Sequence, residues 1–250
     1  MRVAMVETDT VWHDSAANQE RLRAIRIEAD LVVFPEMAFS GFSMEAPPDR
    51  GAEAFLSELA RHNAQAIVAG YVGDPDANGK RTNRAAAFDA DGTLLARYTK
   101  LHPFSYAGED RHYSPGDDLP VFELGGLQVA LAVCYDLRFP ELFREAVLRG
   151  AEAFLVIANW PARRADHWRV LLRARAIENL AFVVGVNRVG RDPNVAYESS
   201  SMAYGPRGEL LAEGNAVAEL DPQAVQDWRA EFPALDDIRT DRYRLGPPEK

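Results

Sequence analysis

Three short runs near the start of the chain, RVAMVET, LVVFPE and AIVAGYV, are apolar almost without a break, and the stretches between them have a different rhythm. NQERLRAIRIEA carries Leu22, Ile25 and Ala29 at helical spacing, and AEAFLSELARHN places Phe55, Leu56 and Leu59 on one face. Near-continuous apolar runs of this length are expected as buried strands. The order strand, helix, strand, helix, strand predicts a layered α/β protein with its strands covered on the helix side.

Antiparallel signals follow. RAAAFDADGTLLARYTK is two strand-like runs around Asp91-Gly92, and VFELGGLQVALAV is two more around Gly125-Gly126. PELFREAVLRG opens with Pro140 near the first helical position and closes with Gly150 past the end. AFLVIANW and AFVVGVNRVG are predicted strands, and the longest helix spans roughly Ala165 to Leu180, with Ile177 and Leu180 facing the sheets. SMAYGPRGELLAE is a further hairpin around Pro206-Arg207-Gly208 and echoes the one at Asp91-Gly92: small residues, a glycine turn, then LLA. Two similar halves, each supplying part of a sheet, make a four-layer α-β-β-α sandwich: two mixed sheets with helices outside. No Pro/Ser-rich linker divides the chain, so residues 1–250 are expected as a single domain, with LGPPEK at 245–250 a loose tail.

The charge balance narrows the partners. A formal net charge of −10, with no basic stripe, makes nucleic acid and anionic membrane poor partners. The N-terminus lacks the apolar core of a signal peptide, and no apolar run reaches the roughly 18 residues of a membrane span, so a cytoplasmic protein is expected. One cysteine cannot form an internal disulfide. With that single thiol, scattered histidines and no His-Glu-x-x-His or Gly-x-Gly-x-x-Gly run, neither a metal nor a nucleotide cofactor is expected.

Glu36, Lys100 and Cys134 share one feature: a reactive side chain at the end of a strand-like run, where α/β sheets gather their ligands. Singly, each has an ordinary reading, as a small core residue for Cys134 and as solvated charges for Glu36 and Lys100. Together they form a chemical set. A thiol needs a base, and an acyl-transfer intermediate needs a positive group for its oxyanion. Asp136 to Glu141 would hold the charge around the thiol.

FPEMAFSGF, RYTKLHPF with Gly108-Glu109 behind it, and CYDLRFPE resemble the three signature regions of the nitrilase superfamily of carbon–nitrogen hydrolases, in order and at similar separations. The resemblance runs from RVAMVETDT to about Glu219. It implies the same sandwich and makes Glu36 the general base, Lys100 the oxyanion partner and Cys134 the nucleophile, with Glu109 positioning Lys100 and the substrate. By the same analogy the backbone N–H of Tyr135 is a second oxyanion donor, and the protein is a homodimer paired through helices beside the site. ANWPARRADHWRVLLRARAIENLAFVVGVNRVG, with CYDLRFPEL, is similar to the ω-amidase branch, which implies hydrolysis of the terminal amide of 2-oxoglutaramate and 2-oxosuccinamate.

A small-molecule amide of that kind ends in a carboxylate, which a forked guanidinium suits. Arg138, four residues past the thiol, is the first candidate; its alternative is a salt bridge to Asp136 or Glu141 that props the turn. Arg163 and Arg164 follow NWP at a strand end, and Trp160 and Phe39 are candidate pocket walls. His167 and Trp168 lie at a helix start and carry little of the argument. Other amidases of the superfamily, acting on N-carbamoyl amino acids or deaminated glutathione, stay open as alternatives. So do a thiol redox sensor, which lacks a resolving cysteine, and a non-catalytic interaction protein, which needs none of the three reactive side chains.

Overall fold

The computed structural model describes residues 1–242, so the tail expected at 245–250 lies outside the described residues. In chain order the elements are β1 (Arg2–Met5), α1 (Ser15–Ala24), β2 (Leu31–Val33), α2 (Ala52–Asn63), β3 (Ala66–Gly73), β4 (Arg81–Phe88), β5 (Leu94–Thr99), α3 (Glu109–His112), β6 (Tyr113–Ser114), β7 (Val121–Leu124), β8 (Leu127–Val133), α4 (Pro140–Leu148), β9 (Ala153–Ala158), α5 (Ala165–Asn179), β10 (Phe182–Asn187), β11 (Gly190–Arg191), β12 (Ala196–Tyr197), β13 (Met202–Tyr204), β14 (Leu210–Glu213), β15 (Val217–Glu219) and α6 (Pro222–Glu231).

The strands form two large sheets with one plan. The first has the order β15-β1-β2-β3-β4-β5, with β6 beside β4; the second has the order β14-β13-β10-β9-β8-β7. In the first, β1, β2 and β3 are parallel, with β15 antiparallel on one flank and β4–β5 an antiparallel hairpin on the other. In the second, β8, β9 and β10 are parallel, flanked by antiparallel β7 and the antiparallel pair β13–β14. The two hairpins that echo one another in sequence therefore hold equivalent places.

The apolar runs are explained by burial on both faces. Along β1 and β2, Val3, Met5, Leu31 and Val33 belong to the core shared with the second sheet. Ala4, Val6 and Val32 turn the other way, to Leu22 of α1 and Phe55, Leu56 and Leu59 of α2. On the far side, Leu142 and Phe143 of α4 and Trp168, Leu172 and Ala176 of α5 cover the second sheet. The result is the expected α-β-β-α sandwich, and each large side chain it buries contributes about 1.5–3 kcal/mol.

Two helical expectations shift. The first helix ends at Ala24; Ile25 is already extended, with φ −70° and ψ 131°. Ile177 does not face the sheet and is 47% exposed, whereas Leu180 is buried. The buried stripe of α5 instead includes Arg175 and Asn179. Arg175 Nη2 donates to the Leu137 carbonyl at 2.8 Å, and Asn179 Nδ2 donates to the Arg175 carbonyl at 3.0 Å, so both side chains place their donors inside, while Asn179 Oδ1 is left without a partner. Among the described residues no helix is long and apolar enough to cross a membrane.

Candidate active site

β8 runs straight into Cys134, which turns sharply with φ +51° and opens a short 3₁₀ helix, Cys134–Arg138. A left-handed conformation at a residue with a Cβ costs about 1–2 kcal/mol, so its surroundings must hold it. Asp136, fully buried, does much of this. Its Oδ2 accepts the Val133 N–H at 3.0 Å and the Tyr98 hydroxyl at 2.7 Å. Its Oδ1 accepts the His102 N–H at 3.0 Å and lies 2.8 Å from His102 Nδ1. One carboxylate thus ties the cysteine turn to the end of β5 and the loop after Lys100. Glu141, by contrast, is exposed.

Glu36 reaches the same place from the other sheet. It follows β2, and the next residue, Met37, is also left-handed with φ +45°. Gly70 of β3 lies directly against this bend: a Cβ there would fall 2.6 Å from Glu36 Cα and Met37 N. The Glu36 side chain is fully buried and densely bonded. Its Oε1 accepts from Asn83 Nδ2 at 2.7 Å and Lys100 Nζ at 3.0 Å. Its Oε2 accepts from Asn159 N at 2.8 Å and Asn159 Nδ2 at 3.3 Å.

Lys100 follows β5 and is held between two carboxylates. Its Nζ donates to Glu36 Oε1 and to Glu109 Oε2, the latter at 2.9 Å. Glu109, at the start of α3, also accepts from Asn83 Nδ2 at 2.8 Å and from the Phe104 N–H at 2.6 Å. The structure therefore brings Glu36, Lys100, Glu109 and Cys134 together, and adds two residues the sequence reading missed, Asn83 and Asn159. Asn159 carried a usable signal, since it ends the apolar run AFLVIAN as Cys134 ends LQVALAVC. Asn83 carried less, being one polar residue inside β4.

Burial raises the Glu36 carboxyl, but the charge of Lys100 and the bonds from Asn83, Lys100 and Asn159 outweigh it and hold Glu36 below its ordinary value. Burial and the nearby Glu36 charge push Glu109 up, against the opposing pull of Lys100. Burial would lower Lys100, yet Glu109 and Glu36 keep it well above the usual lysine range. The Cys134 thiol is driven well up, first by burial and then by the Glu36 charge. The resting site is a neutral thiol facing an ionised carboxylate with a lysinium alongside.

Cys134 opens onto a pocket of about 140 Å³. Tyr135, Trp160, Arg138, Arg163 and Arg164 line it, together with Phe42, Phe104 and Asn159. Arg138 forms no ion pair with Asp136, Glu141 or any other carboxylate among the described residues; its guanidinium lies 4.8 Å from the Trp160 ring, and Nη2 is 3.3 Å from His167 Nδ1. Arg164 lies 5.4 Å from the Phe104 ring. Burial, then the charges of Arg163 and Arg138, lower its proton affinity, which reflects how closely the three cations converge. Trp168 is core, its Nε1 donating to the Ser200 carbonyl at 2.8 Å. Phe39, expected as a pocket wall, is not one. It is fully buried against Phe55 on the outer side of the first sheet, with ring centres 5.6 Å apart. The bend after Glu36 turns Phe42 inward instead, and Lys100 Nζ sits 5.4 Å from that ring.

Comparison with known proteins bears on this geometry. The family model described as carbon-nitrogen hydrolase matches residues 2–230. Omega-amidase YafV of Yersinia enterocolitica is 38% identical over 98% of this chain and 98% of its own length. The 2-oxoglutaramate amidase of Bacillus subtilis is 36% identical over 86% of this chain and 87% of its own. The crystal structure of XC1258 from Xanthomonas campestris, a CN-hydrolase superfamily protein with an arsenic adduct in its active site, superposes with a TM-score of 0.86 at 33% identity, covering 98% of this chain and 99% of that one. With two like-built sheets meeting at a buried glutamate, lysine and cysteine, and with relatives of this kind along its whole length, the chain belongs to the carbon-nitrogen hydrolase family and is an amide-hydrolysing enzyme.

Proposed function

We propose that the enzyme hydrolyses the terminal amide of small dicarboxylic acid monoamides, with 2-oxoglutaramate and 2-oxosuccinamate as type substrates, to the acid and ammonia. The observation that carries this reading is Arg138: a guanidinium without a carboxylate partner among the described residues, on the wall of the pocket that Cys134 opens onto. An arginine in such a place is suited to a carboxylate brought by the substrate, and Arg163 and Arg164 add to the positive field. The relatives called omega-amidase and 2-oxoglutaramate amidase support the same substrate class.

The chemistry follows from the charges. The Cys134 thiol passes its proton to Glu36 as sulfur attacks the amide carbon. The carbonyl electron pair moves to oxygen, where Lys100 Nζ and the Tyr135 N–H meet it; that N–H lies in the first turn of the 3₁₀ helix, where the helix's own pattern supplies no partner. Glu36 returns the proton to nitrogen, the C–N bond breaks, and ammonia leaves a thioester on Cys134. Water then gives a proton to Glu36 and attacks the thioester. The second oxyanion collapses, the C–S bond breaks, and the proton returns to sulfur.

Ammonia release from a panel of amides tests the substrate, and mass spectrometry of a slow substrate trapped on Cys134 tests the thioester. The decisive variant is Arg138→Leu. It should lose about 10- to 150-fold in kcat/KM on succinamate while an uncharged amide of similar length is little affected. Arg138→Lys should recover only part of this, because an ammonium cannot make the forked contact. Equal losses on both substrates with a lowered Tm would mean that Arg138 only braces its surroundings.

A further inference from the structure

A primary amide brings two N–H donors into the pocket, and Glu36 has little room for them. Asn83 Nδ2, Lys100 Nζ, Asn159 N and Asn159 Nδ2 already donate to its two oxygens. A carboxylate offers about four acceptor positions, so the base is saturated before substrate arrives. The substrate nitrogen needs an acceptor elsewhere.

One is in place. Asn159 lines the pocket with Cys134 and is only 4% exposed. Its orientation is fixed by its own bonds: Nδ2 donates to the Glu36 carbonyl at 2.7 Å and to Glu36 Oε2, so the carboxamide oxygen is the atom left over. That Oδ1 is buried and has no partner. Among the described residues it is the one buried side-chain atom in that condition on a residue lining this pocket. A buried acceptor without a donor costs about 1–3 kcal/mol, and a bound amide N–H would relieve that cost.

We infer that Asn159 Oδ1 accepts a hydrogen bond from the substrate's amide nitrogen, which makes Asn159 the residue that selects an unsubstituted primary amide over a group of the same shape lacking N–H. The same side chain holds Glu36 through Nδ2, so recognition of the leaving nitrogen and alignment of the base are built into one residue. This inference rests on the acidic-amide reading above.

The test separates the two. Cys134→Ser removes the thiol and keeps a hydroxyl donor for Glu36. In this protein, with product formation checked, calorimetry compares succinamate with 4-oxopentanoate, its methyl-ketone isostere: the same carboxylate, the same carbonyl, no N–H. Succinamate should bind about tenfold more tightly, and adding Asn159→Ala should bring the two within about twofold while 4-oxopentanoate binds much as before. Asn159→Leu fills the same volume without polar atoms and gives the same reading if the alanine variant is unstable. A preference that survives in these variants, or that is absent from the parent, overturns the role of Asn159. If the parent binds neither ligand, the acidic-amide reading itself falls.

Discussion

The state of one proton decides how Cys134 works. Many reactive cysteines are thiolates at rest because a cation or helix terminus stabilises them. Here the thiol faces two carboxylates and one lysine, and burial and Glu36 drive it well above its ordinary value. The nucleophile should therefore form only as the attack proceeds. The thiolate absorbance near 240 nm, read as the difference between the wild type and Cys134→Ala, should show no step between about pH 6 and pH 9. A step in that window would mean a preformed thiolate. The base has the opposite bias. Glu36 lies below the ordinary 4.5, so its ionised form should persist as pH falls, and the acid limb of kcat/KM should lie below that value. Lys100→Met removes the charge that does most to hold it there, so the limb should move up in pH. It also removes the oxyanion contact, which should cost roughly 3 kcal/mol, about 100-fold in kcat. A Lys100→Met profile with an unmoved acid limb would show that Lys100 does not set the Glu36 charge.

The elements matter through how closely they let these residues approach. Gly70 of β3 has no chemistry, yet Glu36 bends across it at a distance that excludes a methyl group. Gly70→Ala should displace the Glu36–Met37 bend and lower kcat by 10-fold or more, by order of magnitude, because a base misplaced by about an ångström loses its geometry. Folding should survive, with circular dichroism unchanged, since β3 keeps its pairing with β2 and β4. Full activity in that variant would show that the bend can relax without cost. This contrast also explains what was legible in the sequence. Periodicity and turn chemistry are local, so most of the strands and helices and the three hairpins could be read, and so could reactive residues at strand ends. Gly70 and Asn83 could not, because their meaning depends on what lies across from them, and Asn159, though it stands at a strand end, shows in sequence nothing of the partner it meets. Asn159 meets Glu36 from 123 residues away, across the join between the two sheets. The exchange of Phe39 for Phe42 has the same cause: the left-handed bend at Met37 decides which ring turns inward, and an apolar pattern does not record it.

At the scale of the whole molecule the two outer layers differ. α1 and α2 leave no large apolar side chain exposed among the described residues, whereas α4 and α5 leave Leu148 at 55%, Val170 at 66% and Ile177 at 47%. Val170 and Ile177 are seven residues apart on α5, two turns, and so share a face. We expect this face to pair with a second copy of the chain about a two-fold axis, the arrangement in which one self-complementary patch closes a homodimer. A net charge of −10 opposes association at long range, so the pairing must rest on short-range apolar contact and should tighten as salt screens the repulsion. Light scattering should give twice the chain mass for the wild type. Val170→Lys with Ile177→Lys should give monomers, because each copy would present ammonium groups to the other across the axis. Neither residue lines the pocket, but α5 begins directly after the turn that carries Arg163 and Arg164. The monomer should therefore retain the chemical step, and any loss should appear in KM rather than kcat. A monomeric wild type, or a double variant that stays dimeric, would remove this face from the assembly.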